Sequence, residues 1–272
     1  KVTLLDAYGP GNSRASSGGE TRLIQVDTDE SIYVESAIRA YKWWQKLEED
    51  SNETLVLPTG RLTLSRENSY REKALARKDQ LAHEGIDNTE VLDQDEVKNR
   101  WPQINSDDIS VAMFNDGGPA GSTLLARKGC QVVANQFVNN NGKLVIAHGV
   151  PVIEKNRVEG IDCGNGKVLR AQYYVFACGP WLPKIFPNIL QPKLKVERRD
   201  VLFIGTPAGD NRFSHPNLPE WGVHKSQFYG FPDIDGRGLK VAIYPDHNSF
   251  DPSSDERLVN PYQVKRTHDF IK

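Results

Sequence analysis

A chain of 272 residues, 38% apolar and 26% charged, is long enough to bury a sizeable core as one large domain or two ordinary ones. Its 34 basic and 36 acidic residues leave a net charge of −2 with no long run of either sign, so nothing electrostatic favours nucleic acid or an anionic membrane as partner. No stretch approaches the roughly 18–20 consecutive apolar residues of a membrane span, and Cys130, Cys163 and Cys178 form no CxxC pair or disulfide framework.

The expected setting is therefore intracellular, cytoplasmic or peroxisomal, with a small molecule as partner and a monomer or weak oligomer as the assembly. The six histidines, His83, His148, His215, His224, His247 and His268, show no HxH or HxxxH spacing, and no metal site is expected.

The chain opens on the apolar run Val2, Thr3, Leu4, Leu5, Asp6, Ala7, a pattern of strands buried on both faces of a parallel sheet. A run closing on an acid is what the second strand of a dinucleotide-binding βαβ unit looks like, where the carboxylate takes the ribose hydroxyls about 20 residues after a GxGxxG turn. Asp6 is present and that turn is not, so the chain reads as cut inside such a unit; the plainer alternative is that Asp6 merely ends a strand. The small, polar segment 9–19, with Gly9, Gly11, Gly18 and Gly19, suits neither helix nor ladder but can pass its backbone close to a ligand. Glu20, Thr21, Arg22, Leu23 and Ile24 follow.

From Leu4 to Tyr8 and from Ser16 to Ile24 the chain resembles the strand, loop and Thr-Arg segment of the monomeric sarcosine oxidase and N-methyl amino acid oxidase type, within the D-amino acid oxidase superfamily. The resemblance implies FAD as cofactor, attached covalently or not, with Asp6, Ser16, Ser17, Thr21 and Arg22 along it. Arg22 has a second reading as a structural ion pair at a loop end.

Residues 31–49 carry Ile32, Tyr33, Ala37, Ala40, Tyr41, Trp44 and Leu47 at helical spacing, an amphipathic helix whose Trp43 and Trp44 are expected in the core. Residues 55–57 and 61–64 are expected as strands around a turn at Thr59 and Gly60, and 67–84 as a charged helix. An acid-capped short helix should end at Arg100 before Trp101 and Pro102, followed by a strand at 111–114. The spacing then predicts a helix over 123–139, strands at 143–146 and 150–153 around a turn, and a hairpin from 158–163 and 168–171. Residues 173–178 read as a buried strand that meets Gly179, Pro180 and Trp181 at a helix start; in the resembled family this strand returns to the flavin, which implies cofactor roles for Val150, Cys178, Gly179 and Trp181. Strands are expected again near 201–204, 227–231 and 239–243.

Tyr229, Gly230, Phe231, Pro232, then Gly236, Arg237, Gly238, Leu239, Lys240, form a second block resembling the same family. By that match Tyr229 lines the substrate pocket and Lys240 is the cation that promotes reaction with oxygen, although a lysine at a strand end is ordinarily a surface residue. The catalytic set implied is Lys240, Arg22, Tyr229 and Tyr244, with Gln25 and Tyr229 toward substrate. The chain departs from the family at Ser17 and Gly18, at Gln25 in place of a second arginine, and at Tyr244 in place of a histidine, which argues against sarcosine itself and for a larger or less acidic amine.

The expected fold is α/β, or α+β overall, with an FAD-binding Rossmann-like layer over 1–58 and 118–188 interleaved with an antiparallel substrate-binding sheet over 59–117 and 189–272. The expected function is oxidation of a secondary amine or amino acid to an imine, with electrons passed to oxygen to give hydrogen peroxide. Two alternatives stand beside it: a flavin dehydrogenase using another acceptor, and a truncated, non-catalytic remnant that binds no flavin.

Overall fold

The computed structural model describes residues 1–271 except 27, 29, 165 and 245–247, so His247 lies outside the described residues. From the amino end come β1 (Thr3–Asp6), β2 (Arg22–Ile24), α1 (Ser31–Ser51), β3 (Val56–Leu57), β4 (Arg61–Ser65), α2 (Tyr70–His83), β5 (Thr89–Leu92), α3 (Gln94–Arg100) and β6 (Val111–Asn115). The middle of the chain gives β7 (Ser122–Leu124), α4 (Ala126–Asn139), β8 (Lys143–Ile146), β9 (Val150–Glu154), β10 (Arg157–Asp162) and β11 (Val168–Leu169). Two single turns, α5 (Leu182–Ile185) and α6 (Pro187–Leu190), lead to β12 (Val201–Ile204), β13 (Glu220–Val223), β14 (Phe228–Phe231), β15 (Leu239–Ile243) and α7 (Pro261–Phe270).

A mixed α/β fold results, built around a seven-stranded sheet ordered β12-β15-β14-β13-β4-β6-β5. Its strands come from two stretches of chain, and β13 runs parallel to β4 while the other pairs are antiparallel. The two faces of this sheet differ in chemistry, because side chains alternate along each strand. One face holds Leu62, Leu64, Leu92, Ala112, Trp221 and Val241, packed with Val97 of α3 and with Phe270 of α7. Phe270 stacks on Phe228 at 4.2 Å and on Trp221 at 5.9 Å. Each fully buried leucine here contributes about 2 kcal/mol. The opposite face packs Val111 and Met113 against Tyr70 and Ala74 of α2 at one end, and toward β14 and β15 it carries the candidate site.

Capping explains α3 locally. The Asp93 side chain accepts the Glu96 N–H at 2.9 Å, while the Glu96 carboxylate accepts the Asp93 N–H at 2.8 Å, a reciprocal capping box. Asp93→Ala should cost about 1 kcal/mol in a denaturant melt, since Val97 and Trp101 follow in the core.

Several expectations are corrected. On α1 the inward side runs through Val34, Ala37 and Ile38, whereas Ile32, Tyr33 and Trp43 are exposed, Trp43 at 68%. Trp44 instead lies 3.2 Å from where a Cβ on Gly129 would sit. The run at the amino end is not buried on both faces: β1 pairs in parallel with β8 alone, and Val2 and Leu4 face outward. Residues 123–124 belong to β7 rather than to the helix, because β7 ladders onto both β2 and β3. The strands β8 and β9 are not partners; β9 pairs with β10. Most of all, residues 173–178 form no strand, and Val175 is 92% exposed. A central parallel strand is held by ladder bonds on its edges, and this segment makes none among the described residues. The pairing strands β5 and β13 and the helix α7 were not foreseen at all.

Candidate active site

Strand register sets the site's arrangement. Phe231 lies across from Lys240, Tyr229 across from Ala242, and Phe203 across from Lys240 on the other side. Alternation therefore puts Phe203, Tyr229, Phe231, Lys240 and Tyr244 on one face. The same face continues through Glu220 and Arg61, which are register partners between β13 and β4.

Lys240 is the unusual residue. It is only 5% exposed, and its Nζ donates to the Thr21 carbonyl at 2.9 Å and approaches the Thr21 hydroxyl at 2.8 Å. The same Nζ sits 4.2 Å from the centre of the Phe231 ring, a cation–π contact. Burial, and next the Arg22 guanidinium, push the Lys240 ammonium down to about 7, while Glu220 and Glu20 act to hold its proton. Glu220 is fully buried and meets Arg61 at 2.6 Å. A buried charge needs such pairing. A strand-interior lysine could signal a buried cation, as it did; nothing in the sequence around Glu220 signalled its partner, 159 positions away.

Thr21 ties this sheet face to the glycine loop. The Arg22 guanidinium donates to the Thr21 carbonyl at 2.7 Å and to the Ser16 carbonyl, so it folds back on its own loop. The Ser17 carbonyl faces the Cys130 thiol at 3.8 Å, and burial raises that thiol. Gly18 has no room for a side chain: a Cβ would lie 1.6 Å from the Asn12 carbonyl oxygen. Gly18→Ala should therefore shift the whole loop and cost about 1–3 kcal/mol in a denaturant melt.

The far end of the loop gathers the remaining candidates. Asp6 Oδ1 accepts the N–H groups of Tyr8 and Gly9, both at 2.8 Å. The Tyr8 ring lies 6.3 Å from Trp181 and beneath the Arg14 guanidinium at 5.0 Å. Burial first, and then the Asp6 carboxylate, raise the Cys178 thiol. Gly179 takes a left-handed φ of +50° with open space where a Cβ would point. Val150 is exposed and follows Gly149, whose missing Cβ leaves room for Leu5 of β1. Gln25 is exposed beyond β2, and no hydrogen bond or ring contact joins it to Tyr229 among the described residues. Tyr229 itself lies 5.5 Å from Tyr244 and 6.3 Å from Phe231.

Between loop and sheet lies a cavity of about 200 Å³ lined by Glu20, Thr21, Arg127, Phe203, Arg237 and Lys240, among others. Glu20 bridges Arg127 and Arg237, each at 3.2 Å. Sequence reasoning gave none of these three a role.

The family model described as FAD dependent oxidoreductase (DAO) matches residues 1–267. The chain belongs to that family. It is 25% identical to monomeric sarcosine oxidase of Bacillus sp. (strain B-0618), over 96% of this chain and 67% of that protein. N-methyl-L-tryptophan oxidase of Salmonella arizonae is 30% identical over 89% of this chain and 63% of its own length. The crystal structure of iminodiacetate oxidase from Chelativorans sp. BNC1 superposes with a TM-score of 0.74 at 14% identity, over 98% of this chain and 71% of that one. The chain thus spans about two-thirds of the length of the curated relatives it matches.

FAD is the cofactor of this family, and the residues present fit part of it. A strand-end carboxylate and a loop in which Gly11 and Gly18 leave no room for a Cβ suit a ribose and a closely approaching ligand, and Tyr8 and Trp181 add an aromatic pair after that strand. No helix among the described residues is long and apolar enough to cross a membrane.

Proposed function

We propose that the protein oxidises a secondary amine or amino acid at the carbon beside nitrogen. The C–H and N–H hydrogens leave as two electrons and two protons, an imine forms, and oxygen takes both to become hydrogen peroxide. FAD supplies the acceptor for the hydrogen from carbon and passes the electrons on. The chain's own residues bind, orient and shield. Asp6 and the loop 9–19 would hold the cofactor, and Thr21 and Arg22 would lie along it. Tyr229 and Tyr244 would wall the substrate, and Lys240 would supply the cation against which negative charge develops on oxygen.

The single observation behind this reading is Lys240: a buried ammonium near neutrality, aimed by Thr21 at the base of the glycine loop. The neutral Gln25, where the resembled oxidases carry an arginine, supports a substrate larger than sarcosine. Anaerobic addition of N-methyl and cyclic amino acids to the flavin-loaded protein tests the reading. Bleaching of the flavin bands, then recovery in air with one peroxide per substrate, is the expected result. Recovery only with an artificial acceptor would make the protein a dehydrogenase, and failure to take up FAD would leave a non-catalytic remnant.

A further inference from the structure

The β12–β15 ladder runs on past its named ends. Its register pairs Phe203 with Lys240 and Val201 with Ala242, and the Ile243 N–H reaches the Asp200 carbonyl at 3.3 Å. Alternation then carries Arg199, Val201 and Phe203 along the same face as Lys240, Ala242 and Tyr244. The Arg199 guanidinium lies 4.6 Å over the Tyr244 ring, and Tyr244 in turn borders Tyr229.

These residues form one strip of the face: the buried Lys240 lies at one end and the exposed Arg199 at the other, with Ala242 and Val201 between them. Tyr229 and Phe231 of β14 flank the strip. Four residues of strand separate Lys240 from Tyr244, so their backbones stand about 13 Å apart along β15.

The neighbouring arginines are engaged, Arg198 on the reverse face of the strand among them. Arg198 bonds Asp200 at 3.1 Å and the Glu256 carbonyl at 2.8 Å. Arg61 meets Glu220, and Arg22 meets the carbonyls of Thr21 and Ser16. Arg199 has its ring contact with Tyr244 but no carboxylate or carbonyl partner among the described residues. A guanidinium held flat on an aromatic face keeps its fork of N–H donors at its edges, a shape that matches a carboxylate bidentately. Its position suits a group far from Lys240 rather than one beside the reacting carbon.

We propose that Arg199 is a specificity residue that binds a substrate carboxylate remote from the carbon–nitrogen bond being oxidised. The preferred substrates are then secondary amines with a distal acid, of the N-methyl dicarboxylic amino acid type. This rests on the amine-oxidising reading above, with the Tyr229 and Tyr244 face as the substrate side.

The test compares N-methyl-L-glutamate with N-methyl-L-glutamine on the flavin-loaded protein, and measures glutarate against glutaramide binding by calorimetry. The acid should be favoured over the amide in kcat/KM, and Arg199→Gln should raise KM for the acid about 10- to 100-fold, with the loss in KM rather than kcat. Arg199→Lys should recover part of it, since the charge remains and the fork does not. Glutarate should bind the native chain and not Arg199→Gln. Equal KM for acid and amide, or unchanged glutarate binding in Arg199→Gln, would overturn the proposal. A protein that binds glutarate through Arg199 yet oxidises neither amine would sink the amine-oxidising reading and leave the carboxylate site standing.

Discussion

Replacing Lys240 with methionine should slow reoxidation of the reduced flavin by oxygen about 100- to 1,000-fold, while anaerobic bleaching by substrate changes far less. The asymmetry follows from where the charge sits. Oxygen gains negative charge as it accepts electrons, and a desolvated ammonium next to it is worth far more than one in water. Methionine matches the length of the stem and supplies no charge. Stopped-flow mixing of reduced protein with oxygenated buffer reads this step directly; equal reoxidation rates in both proteins would remove Lys240 from oxygen chemistry.

The same residue makes a linked prediction about pH. Its ammonium sits at about 7 in the folded chain against 10.5 as an ordinary lysine, so the unfolded state binds more protons between those values. Stability should therefore rise as pH increases from 7 to 10.5, and below 7 the full cost of burying the cation is present. At about 1.4 kcal/mol for each pH unit, the span is of order 2–5 kcal/mol. Lys240→Met should flatten that limb and raise Tm at pH 7. The Thr21 carbonyl keeps its hydrogen bond from Arg22, while the Thr21 hydroxyl loses the bond from Lys240, which offsets part of the gain. Reoxidation runs the other way: the protonated form is the active cation, so the rate should fall as pH rises through 7.

Much of the site was legible in the sequence because its pieces are local. The acid closing β1, the loop 9–19, Thr21 beside Arg22, and a lysine inside an apolar strand each announce themselves within a dozen residues. Register did the rest for Tyr229 and Lys240, since period-2 alternation fixes a face once a strand is recognised. What stayed hidden depends on distant pairing. The sequence 220–223 offers Glu, Trp, Gly and Val, too short and mixed to read as a strand, and its partners β4 and β14 on either side make it one. Residues 173–178 erred in the opposite direction: their composition is that of an interior strand, but composition supplies no ladder partner. Trp43 failed because helical spacing defines a stripe without saying which side of it meets the core.

Glu220→Gln should be the most destabilising single change on this face, at about 3–5 kcal/mol in equilibrium unfolding. The substitution keeps shape and removes charge, which leaves the Arg61 guanidinium buried opposite a neutral amide. Replacing both partners with apolar residues of similar volume should recover most of the loss, as the desolvation cost of both ions disappears together. The change also reaches the chemistry, because Glu220 helps Lys240 hold its proton. In Glu220→Gln the pH limb of reoxidation should move to lower pH, with the rate at pH 7 falling accordingly. A stability loss without that movement would make the pair a purely structural clamp between β4 and β13. Movement of the limb would show that Arg61, Glu220 and Lys240 act as one charge system, in which a buried acid on a neighbouring strand sets the working pH of the cation.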